Sequence, residues 1–207
     1  MSCISLRNDL DVSCKDVVRK YFQQIVLVNK DDIEEFLIQT PFGDECRYSL
    51  SFRLKDDATG YRITNTYNGG SVFGFYTKTK KEGIPQYKHS VQFTLIGADE
   101  ETRCFLDQLD KANYFAAVQL TDGTVEIYGF EFGLQTEDYE INIANNSGGA
   151  LIVLSSDDDV LEDNMPYIYL SGISGDEGKD FDNNFVDNPE LPSGDFNDDF
   201  NDDFNNG

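Results

Sequence analysis

Hydrophobic residues along this chain change their spacing from a helical period to a strand period and back. The first group has helical spacing and consists of Val17, Val18, Tyr21 and Ile25. Ser13 precedes this group at the position of a helix N-cap. The pattern therefore predicts a short amphipathic helix over residues 13–24, within an N-terminal arm of residues 1–31.

Beyond this arm the hydrophobic period becomes two. Alternation is clearest in residues 47–54, where apolar and polar residues take turns, so one face of this strand is expected to be buried and the other wet. Further strands are predicted at residues 36–38, 61–66, 71–79 and 88–96. Segments rich in Asp, Asn and Gly separate them, which predicts a meander.

The helical period returns between residues 97 and 113. One face of this segment carries Phe105, Leu106, Leu109 and Ala112. Three acidic residues stand at its start, near the positive end of the helix dipole: Asp99, Glu100 and Glu101. The pattern predicts an amphipathic helix whose apolar face lies against the core.

A hairpin is predicted directly after this helix. Residues 114–120 alternate, Asp122 and Gly123 supply two positive-φ positions for a tight turn, and residues 124–128 return. Gly129 and Gly133 then bracket an aromatic segment, where glycine within a strand indicates a bulge or a close backbone approach.

The remaining strands fix the predicted fold class. They lie around residues 139–143, 150–154 and 167–170, which brings the total to roughly nine strands against one or two helices. The sequence therefore predicts a mainly β fold, a sandwich or barrel over residues 32–172 with one packed α-helix.

The C-terminal segment, residues 173–207, differs in composition from the rest. Residues 175–207 contain nine Asp, two Glu and one Lys. Such a segment buries too little apolar surface to offset its ordering entropy, so by itself it is predicted to be a disordered acidic tail. Its phenylalanines are spaced mostly four residues apart: Phe181, Phe185, Phe196, Phe200 and Phe204. Two interpretations stand, a solubility tail with incidental Phe side chains or a set of partner-binding anchors that enter apolar pockets of a neighbouring subunit or protein.

The net charge of −23 at pH 7 restricts the partners that the chain can bind. Charge of one sign repels phosphate backbones and anionic lipid headgroups, so specific DNA binding and membrane binding are not expected. One local exception is a basic group around a predicted loop: Lys78, Lys80, Lys81 and Lys88. This group is interpreted either as a solvated hairpin loop or as a phosphate contact, and an acidic neighbour, such as the tail of another copy, suits it better than DNA.

Sequence motifs of catalysis or of cofactor binding are not recognised. The single histidine, His89, begins a predicted strand, and no nucleophile turn, phosphate loop or dinucleotide fingerprint occurs. The four cysteines lie far apart, which argues against a zinc site, and the Asp-rich segment that starts at Asp180 fails the EF-hand spacing. Weak cation binding by the Asp clusters at 157–159 and 180–182 stays open beside solvated carboxylates. A protein that is not an enzyme, with no cofactor and no metal, made in a reducing cytoplasm, is expected.

Residues 89–170 carry a resemblance to a known family. Three stretches define it: His-Ser-Val-Gln-Phe-Thr-Leu from residue 89, Phe-Leu-Asp-Gln-Leu-Asp-Lys-Ala-Asn-Tyr-Phe-Ala-Ala-Val from residue 105, and Thr-Asp-Gly-Thr-Val-Glu-Ile-Tyr-Gly-Phe-Glu-Phe-Gly-Leu from residue 121. This part of the chain resembles virion proteins of tailed phages that infect gut Bacteroidetes, including tail and ring proteins of crAss-like phages.

The resemblance implies a tail-tube-like β-sandwich that assembles into a homo-oligomeric, dodecameric ring in the neck or tail of the virion. Its partners would be further copies of itself and neighbouring portal, ring or tail proteins, and DNA would pass through the ring without specific binding. Assembly would take place in the host cytoplasm. The alternative is a carbohydrate-binding or adhesion β-sandwich on the virion or cell surface that uses a Tyr-rich segment, residues 61–76.

Overall fold

The fold is described from a computed structural model, which covers residues 24–39, 48–64, 72–81, 83–95, 99–120, 122–139, 150–173, 175–186 and 191. The strands within these ranges are β1 (Gln24–Asn29), β2 (Ile33–Gln39), β3 (Ser49–Leu54), β4 (Tyr61–Thr64), β5 (Phe73–Lys81), β6 (Ile84–Leu95), β7 (Tyr114–Gln119), β8 (Val125–Tyr128), β9 (Gln135–Thr136), β10 (Ala150–Ser155) and β11 (Tyr167–Tyr169). The α-helices are α1 (Glu100–Leu109) and α2 (Glu177–Asp182), and a 3-10 turn (Lys30–Asp32) joins β1 to β2. The protein is mainly β with a packed helix, as the sequence predicts.

The strands form two sheets. The large sheet has seven strands in the order β2-β3-β11-β8-β7-β1-β4, and the small sheet has four in the order β5-β6-β10-β9. Neighbouring strands are antiparallel except for β11 and β3, which are parallel. Because β11 enters between β3 and β8, the last of the described strands fills the middle of the large sheet rather than extending its edge.

The two sheets face each other across a first core. Ile25 and Leu27 from β1 meet Val91 and Phe93 from β6 there, and all four side chains are buried. Side chains of alternate residues point to opposite faces of a strand, so these positions give the inner faces of a sandwich. Helix α1 closes one end of this core with Leu106 and Leu109.

A second core lies on the other face of the large sheet. Phe52 of β3 and Phe115 of β7 lie with ring centroids 5.1 Å apart, although two strands separate β3 from β7 in the sheet order. Neighbouring strands are spaced about 4.8 Å apart, so a flat sheet would hold these rings roughly 14 Å apart. The large sheet is therefore strongly curled, and an aromatic core fills its concave side.

Strand β1 corrects the predicted N-terminal arm. Residues 24–29 form a central strand between β7 and β4, whereas the sequence pattern ended a helix at Gln24, counted Ile25 in its apolar spacing and placed residues 1–31 in an arm. The four residues from Ile25 to Val28 are buried, because this strand has a core on each face. A continuous aliphatic run is the pattern of a strand buried on both faces. The rest of the predicted helix over residues 13–24 lies outside the described residues.

Helix α1 confirms the predicted helix between residues 97 and 113. Asp99 is its N-cap, and the carboxylate of Asp99 accepts a hydrogen bond from the Thr102 backbone N–H at 2.8 Å. Phe105 and Ala112 pack beside its two buried leucines. The pattern of apolar residues identified the core-facing side correctly.

The predicted hairpin of β7 and β8 is also present, but its turn differs from the expected one. Of the two predicted turn residues, Asp122 and Gly123, only Gly123 has a positive φ, which is 87°. Its N–H donates to the Leu120 carbonyl at 3.0 Å. The Leu120 N–H in turn donates to the Thr124 carbonyl at 2.8 Å. This pattern fits a longer loop closed by a glycine bulge rather than a two-residue turn with two positive φ values.

Helix α2 corrects the predicted domain boundary after residue 172. Phe181 and Phe185 are fully buried in the second core, where the Phe185 ring lies 5.0 Å from that of Phe52. Arg62 of β4 holds the helix, since its guanidinium donates to Asn184 Oδ1 at 2.8 Å and to the Phe181 carbonyl. The packed domain therefore reaches at least Val186. Composition predicted disorder because it counts the charges of the segment without showing that Lys179 and Asp182 are exposed while Asp180 is buried against Tyr169.

Replacing Leu109 by Ala is expected to lower the free energy of unfolding by about 2 to 5 kcal/mol, because the side chain is 4% exposed and its loss leaves a cavity in the first core. Urea denaturation of the purified protein measures the change. Leu151→Ala is the matched control, since Leu151 is 51% exposed. An equal effect of both substitutions would contradict the assignment of α1 to the core.

Replacing Phe181 by Ala is expected to cost roughly 3 to 5 kcal/mol, because the ring is buried against Phe185 and beneath the Arg62 guanidinium. Ile173→Ala, at an exposed position shortly before α2, is the control and is expected to change the midpoint of urea denaturation little. A Phe181→Ala midpoint equal to that of the unsubstituted protein would show that α2 contributes nothing to the fold.

Candidate functional site

The β5–β6 hairpin projects beyond the sandwich. Strand β6 pairs with β10 only from Ser90 to Leu95, so its first half, from Ile84 to His89, has β5 as its ladder partner. Residues 75–81 of β5 are all exposed, although successive side chains point to opposite faces. Exposure of both faces means that this half of the hairpin has solvent on two sides.

Large apolar side chains lie on this exposed hairpin. Phe73 and Phe75 share the outer face of the small sheet and are 42% and 46% exposed. Ile84 near the tip is 63% exposed, and Leu151 of β10 extends the apolar area along the same outer face. A group of neighbouring exposed apolar residues on one sheet face is typical of an interaction surface.

The four predicted basic residues are all on this hairpin, but they form two pairs on opposite faces. Lys88 Nζ lies 2.8 Å from Asp158 Oδ1 and 3.3 Å from Glu137 Oε1. The hydrogen bond to Asp158 raises the pKa of Lys88. Lys81 Nζ is 3.5 Å from the Asp159 carbonyl oxygen. This pair therefore already faces an acidic loop of its own chain.

Lys78 and Lys80 form the other pair. They follow Tyr76 on the face that continues into the first core, and both are exposed. Within the described part of the chain, no carboxylate forms an ion pair with either residue. The hairpin therefore presents two cationic groups that are free to meet an external anion.

His89 anchors the base of the hairpin. Its Nδ1 accepts a hydrogen bond from the Gly129 backbone N–H at 3.0 Å, and its Nε2 lies 3.0 Å from the Asn164 carbonyl, to which the Nε2–H donates. Burial lowers the pKa of His89 to about 4, so the ring is neutral at neutral pH. Both nitrogens are hydrogen-bonded to backbone groups, which gives His89 a structural role and leaves neither nitrogen for general-base catalysis.

Two glutamates tie the base of the hairpin to the turn after β8. Glu162 pairs with Tyr87 of β6 through backbone hydrogen bonds, and its buried carboxylate accepts from the N–H groups of Glu131 and Phe132 at 2.9 and 3.2 Å. The Glu131 carboxylate accepts in return from the Asp163 N–H at 2.7 Å and from the Tyr167 hydroxyl at 2.5 Å. Each segment thus supplies a carboxylate to the backbone of the other, which holds the hairpin base rigidly.

Glycine at 129 and 133 allows this turn to form. The segment is a turn rather than the predicted strand, with φ of 72° at Gly129 and 95° at Gly133. A Cβ at Gly133 would lie 1.7 Å from Asn113 Oδ1. The predicted close backbone approach is therefore present, whereas the predicted strand context is not.

The tail phenylalanines fall into two groups. Phe181 and Phe185 fill the core of their own domain, so they are not free anchors for a neighbouring protein as the sequence interpretation proposed. They are buried because Tyr169 and Phe52 line a pocket that their rings fill. Phe196, Phe200 and Phe204 lie outside the described residues, so the anchor interpretation stays a prediction for them.

The acidic clusters do not form a metal centre in the described part of the chain. No group of three His, Cys, Asp or Glu residues is placed there to hold an ion. Asp157 Oδ1 accepts from the Asp159 N–H at 2.8 Å, and Asp180 Oδ2 accepts from the Tyr169 hydroxyl at 2.8 Å. Each carboxylate therefore has a structural partner within its own domain.

A groove of about 260 Å³ opens between α1 and the end of β1. Tyr61 and Phe105 form its aromatic walls, and the amides of Asn29 and Gln108 reach it. Tyr61 belongs to the segment that the sequence offered for carbohydrate binding, and it is 50% exposed. The segment therefore contributes an aromatic wall to this groove.

Comparison with protein families, with characterised proteins and with solved structures finds no match to this chain. Among the described residues, no helix is both long enough and apolar enough to span a membrane.

Replacing Glu162 by Gln is expected to change how stability depends on pH. Burial raises the pKa of Glu162 from 4.5 to about 7, so its ionisation destabilises the folded protein progressively as pH rises through this window. His89 acts in the opposite direction, because burial lowers its pKa from 6.5 to about 4 and its stabilising effect is lost as pH falls through that window. The two effects offset each other between pH 4.5 and 6.5.

Without the Glu162 carboxyl, the variant should gain stability relative to the unsubstituted protein by up to ~1.4 kcal/mol for each pH unit between about 4.5 and 7. Urea denaturation across this range measures the difference. Glu100→Gln makes the same charge change on the exposed surface of α1 and serves as the control. If the stability of Glu162→Gln and that of the unsubstituted protein change equally with pH, the raised pKa of Glu162 is contradicted.

Proposed function

We propose that the protein is a structural virion protein of a tailed phage, which forms a homo-oligomeric ring in the neck or tail and connects neighbouring tail components. The observation that carries the proposal is the projecting β5–β6 hairpin, which exposes Phe75 at its base and Ile84 near its tip to solvent. Such an arm is costly in a protein that stays monomeric, because exposed apolar side chains gain nothing until a partner buries them. The resemblance of residues 89–170 to phage tail and ring proteins supplies the identity of the assembly.

Open strand edges support self-assembly in particular. Strand β5 ends the small sheet, and β2 and β4 end the large one in the described structure. An exposed edge carries a row of backbone donors and acceptors, and pairing with another chain satisfies them. Packing identical copies around a closed ring repeats one contact, which covers the same edges in every copy.

The charge of the chain is suited to a DNA conduit. A net charge of −23 per copy repels the phosphate backbone, so DNA would move past the ring without adhering to it.

The two opposing carboxylates at the hairpin base and the buried histidine supply rigidity, and neither arrangement offers a nucleophile. Together they favour a structural role over a catalytic one.

Carbohydrate binding is the second candidate, and the groove beside Tyr61 favours it. Tyr61 and Phe105 offer aromatic faces against which a sugar ring stacks, and the amides of Asn29 and Gln108 are hydrogen-bonding groups for hydroxyls. A glycan array probed with the purified protein tests this candidate. Loss of the glycan signal in Tyr61→Ala, without loss of fold, would support it.

The ring proposal predicts a mass that is a fixed multiple of 23.4 kDa in native mass spectrometry, and closed rings in negative-stain images. Replacing Phe73 and Phe75 by Ser should shift the population to the mass of one copy, because the variant removes the exposed aromatic contacts while the sandwich core stays intact.

Ile173→Ser is the control for this variant, since Ile173 is 57% exposed at a site far along the chain from the hairpin. Rings should form as usual in that variant. A protein that stays monomeric at high concentration, also when portal or tail proteins are added, would overturn the ring proposal.

A further inference from the structure

Among the described strands, β5 has no partner on its outer edge. This edge has the properties of a docking site for an acidic, Phe-containing strand. The other edge of β5 pairs with β6 over nine residue positions, from Phe73 to Lys81, so the strand is long and regular. Lys78 and Lys80 stand on one of its faces and Phe73 and Phe75 on the other. An added strand would therefore find cationic and aromatic side chains along the same edge.

The C-terminal part of this chain has the matching chemistry. Residues 195–204 contain five Asp, no basic residue and three Phe. In an extended chain every second residue lies on the same face, so a spacing of four places Phe196, Phe200 and Phe204 together. Asp198 and Asp202 share that face, whereas Asp195, Asp199 and Asp203 lie on the opposite face. The segment would thus place its aromatic side chains on one face and three acidic side chains on the other, as β5 places Phe73 and Phe75 on one face and Lys78 and Lys80 on the other.

The position of α2 indicates whether residues 195–204 reach the β5 edge of their own copy or that of another copy. Helix α2 packs in the second core, on the face of β1 and β7 opposite to the small sheet. The large sheet therefore separates Val186, after α2, from the β5 edge of the same molecule. Residues 187–194 span at most roughly 28 Å when fully extended. The path from the second core to the small sheet crosses two layer spacings of about 10 Å each, about 20 Å in all. The chain must also pass around the edge of the large sheet, which uses most of its remaining length. The hairpin of a second copy is therefore favoured.

We propose that residues 195–206 of one copy bind in trans as an added strand on the free edge of β5 of a second copy. The main chain supplies hydrogen bonds to the edge, the Phe side chains cover the exposed aromatic residues, and the Asp side chains meet Lys78 and Lys80. This inference rests on the proposed self-assembly for the source of the strand, since the segment comes from another copy. It assigns one specific contact, which the ring proposal does not require.

A labelled peptide of residues 193–207 tests the site directly. The receptor is the full-length protein with Phe196, Phe200 and Phe204 replaced by Ser, so that its own segment does not compete. We expect saturable binding in fluorescence anisotropy that weakens as salt rises, because the contact includes ion pairs. A peptide with the three Phe changed to Ser should bind at least about tenfold more weakly, since its charge is unchanged and its apolar contacts are lost.

Reversing the charge at the site locates the contact. Lys78→Glu with Lys80→Glu in the receptor should weaken peptide binding at least about tenfold. Lys55→Glu with Lys111→Glu makes the same charge change away from the hairpin and should have a smaller effect. Equal binding of the Phe and Ser peptides, or equal effects of the two Lys double variants, would overturn the assignment.

Mixing two full-length variants tests whether docking is in trans. The Phe-to-Ser triple variant keeps a normal hairpin, and the Lys78→Glu, Lys80→Glu variant keeps a normal C-terminal segment. Together they should form a heterodimer in native mass spectrometry, whereas each alone should lack this contact. Peptide binding without a heterodimer would overturn docking in trans.

The same variants separate this inference from the ring proposal. Closed rings of the Phe-to-Ser triple variant, as abundant as those of the unsubstituted protein, would overturn the strand docking and leave the ring proposal standing. A heterodimer of the two variants, in a protein that never closes into rings, would support the docking and overturn the ring.

Discussion

Strands β1 and β7 bury side chains on both of their faces, and the other elements are arranged to cover those faces. On one side the small sheet and α1 complete a sandwich core. On the other side the large sheet curls until Phe52 meets Phe115, and α2 fills the remaining gap with two phenylalanines. Since apolar burial contributes about 25 cal/mol per Å², two cores that share one sheet supply the main stabilisation of this domain.

Covering both faces of the large sheet also explains how the hairpin is supported. With the sandwich core fixed, β6 is held along Ser90 to Leu95 by β10, and the remaining length projects beyond the sandwich with Tyr87 bridged to Glu162 at its base. The exchange of carboxylates between Glu162 and Glu131 prevents the base of this arm from pivoting. A rigid arm costs less entropy to bind than a flexible one, so in the proposed assembly this base would lower the entropic cost of binding a partner.

Local period was enough to locate α1, β3, β7, β8 and β10. The expected wet face of β3 is wrong, because Ser49 and Ser51 are buried and their hydroxyls donate to the Gln39 side chain and the Leu170 carbonyl. The face of α1 that meets the core and the location of the turn at Gly123 followed from a few residues at fixed spacing, whereas the type of this turn did not. The basic group on the hairpin could be recognised from sequence because its four lysines lie close together along the chain. Its division into two pairs could not be predicted, because the register of β5 against β6 decides which lysine faces the acidic loop.

The sequence by itself determined the mainly β class, the position of α1 and the absence of recognisable catalytic motifs, since these depend on local pattern and composition. Tertiary structure alone decided that residues 24–29 form a central strand and that Phe181 and Phe185 belong to the core. The first segment is too short, and the second too highly charged, for its structure to be predicted from local sequence. Both are stabilised by the second core, which forms only when the distant strands of the large sheet curl together.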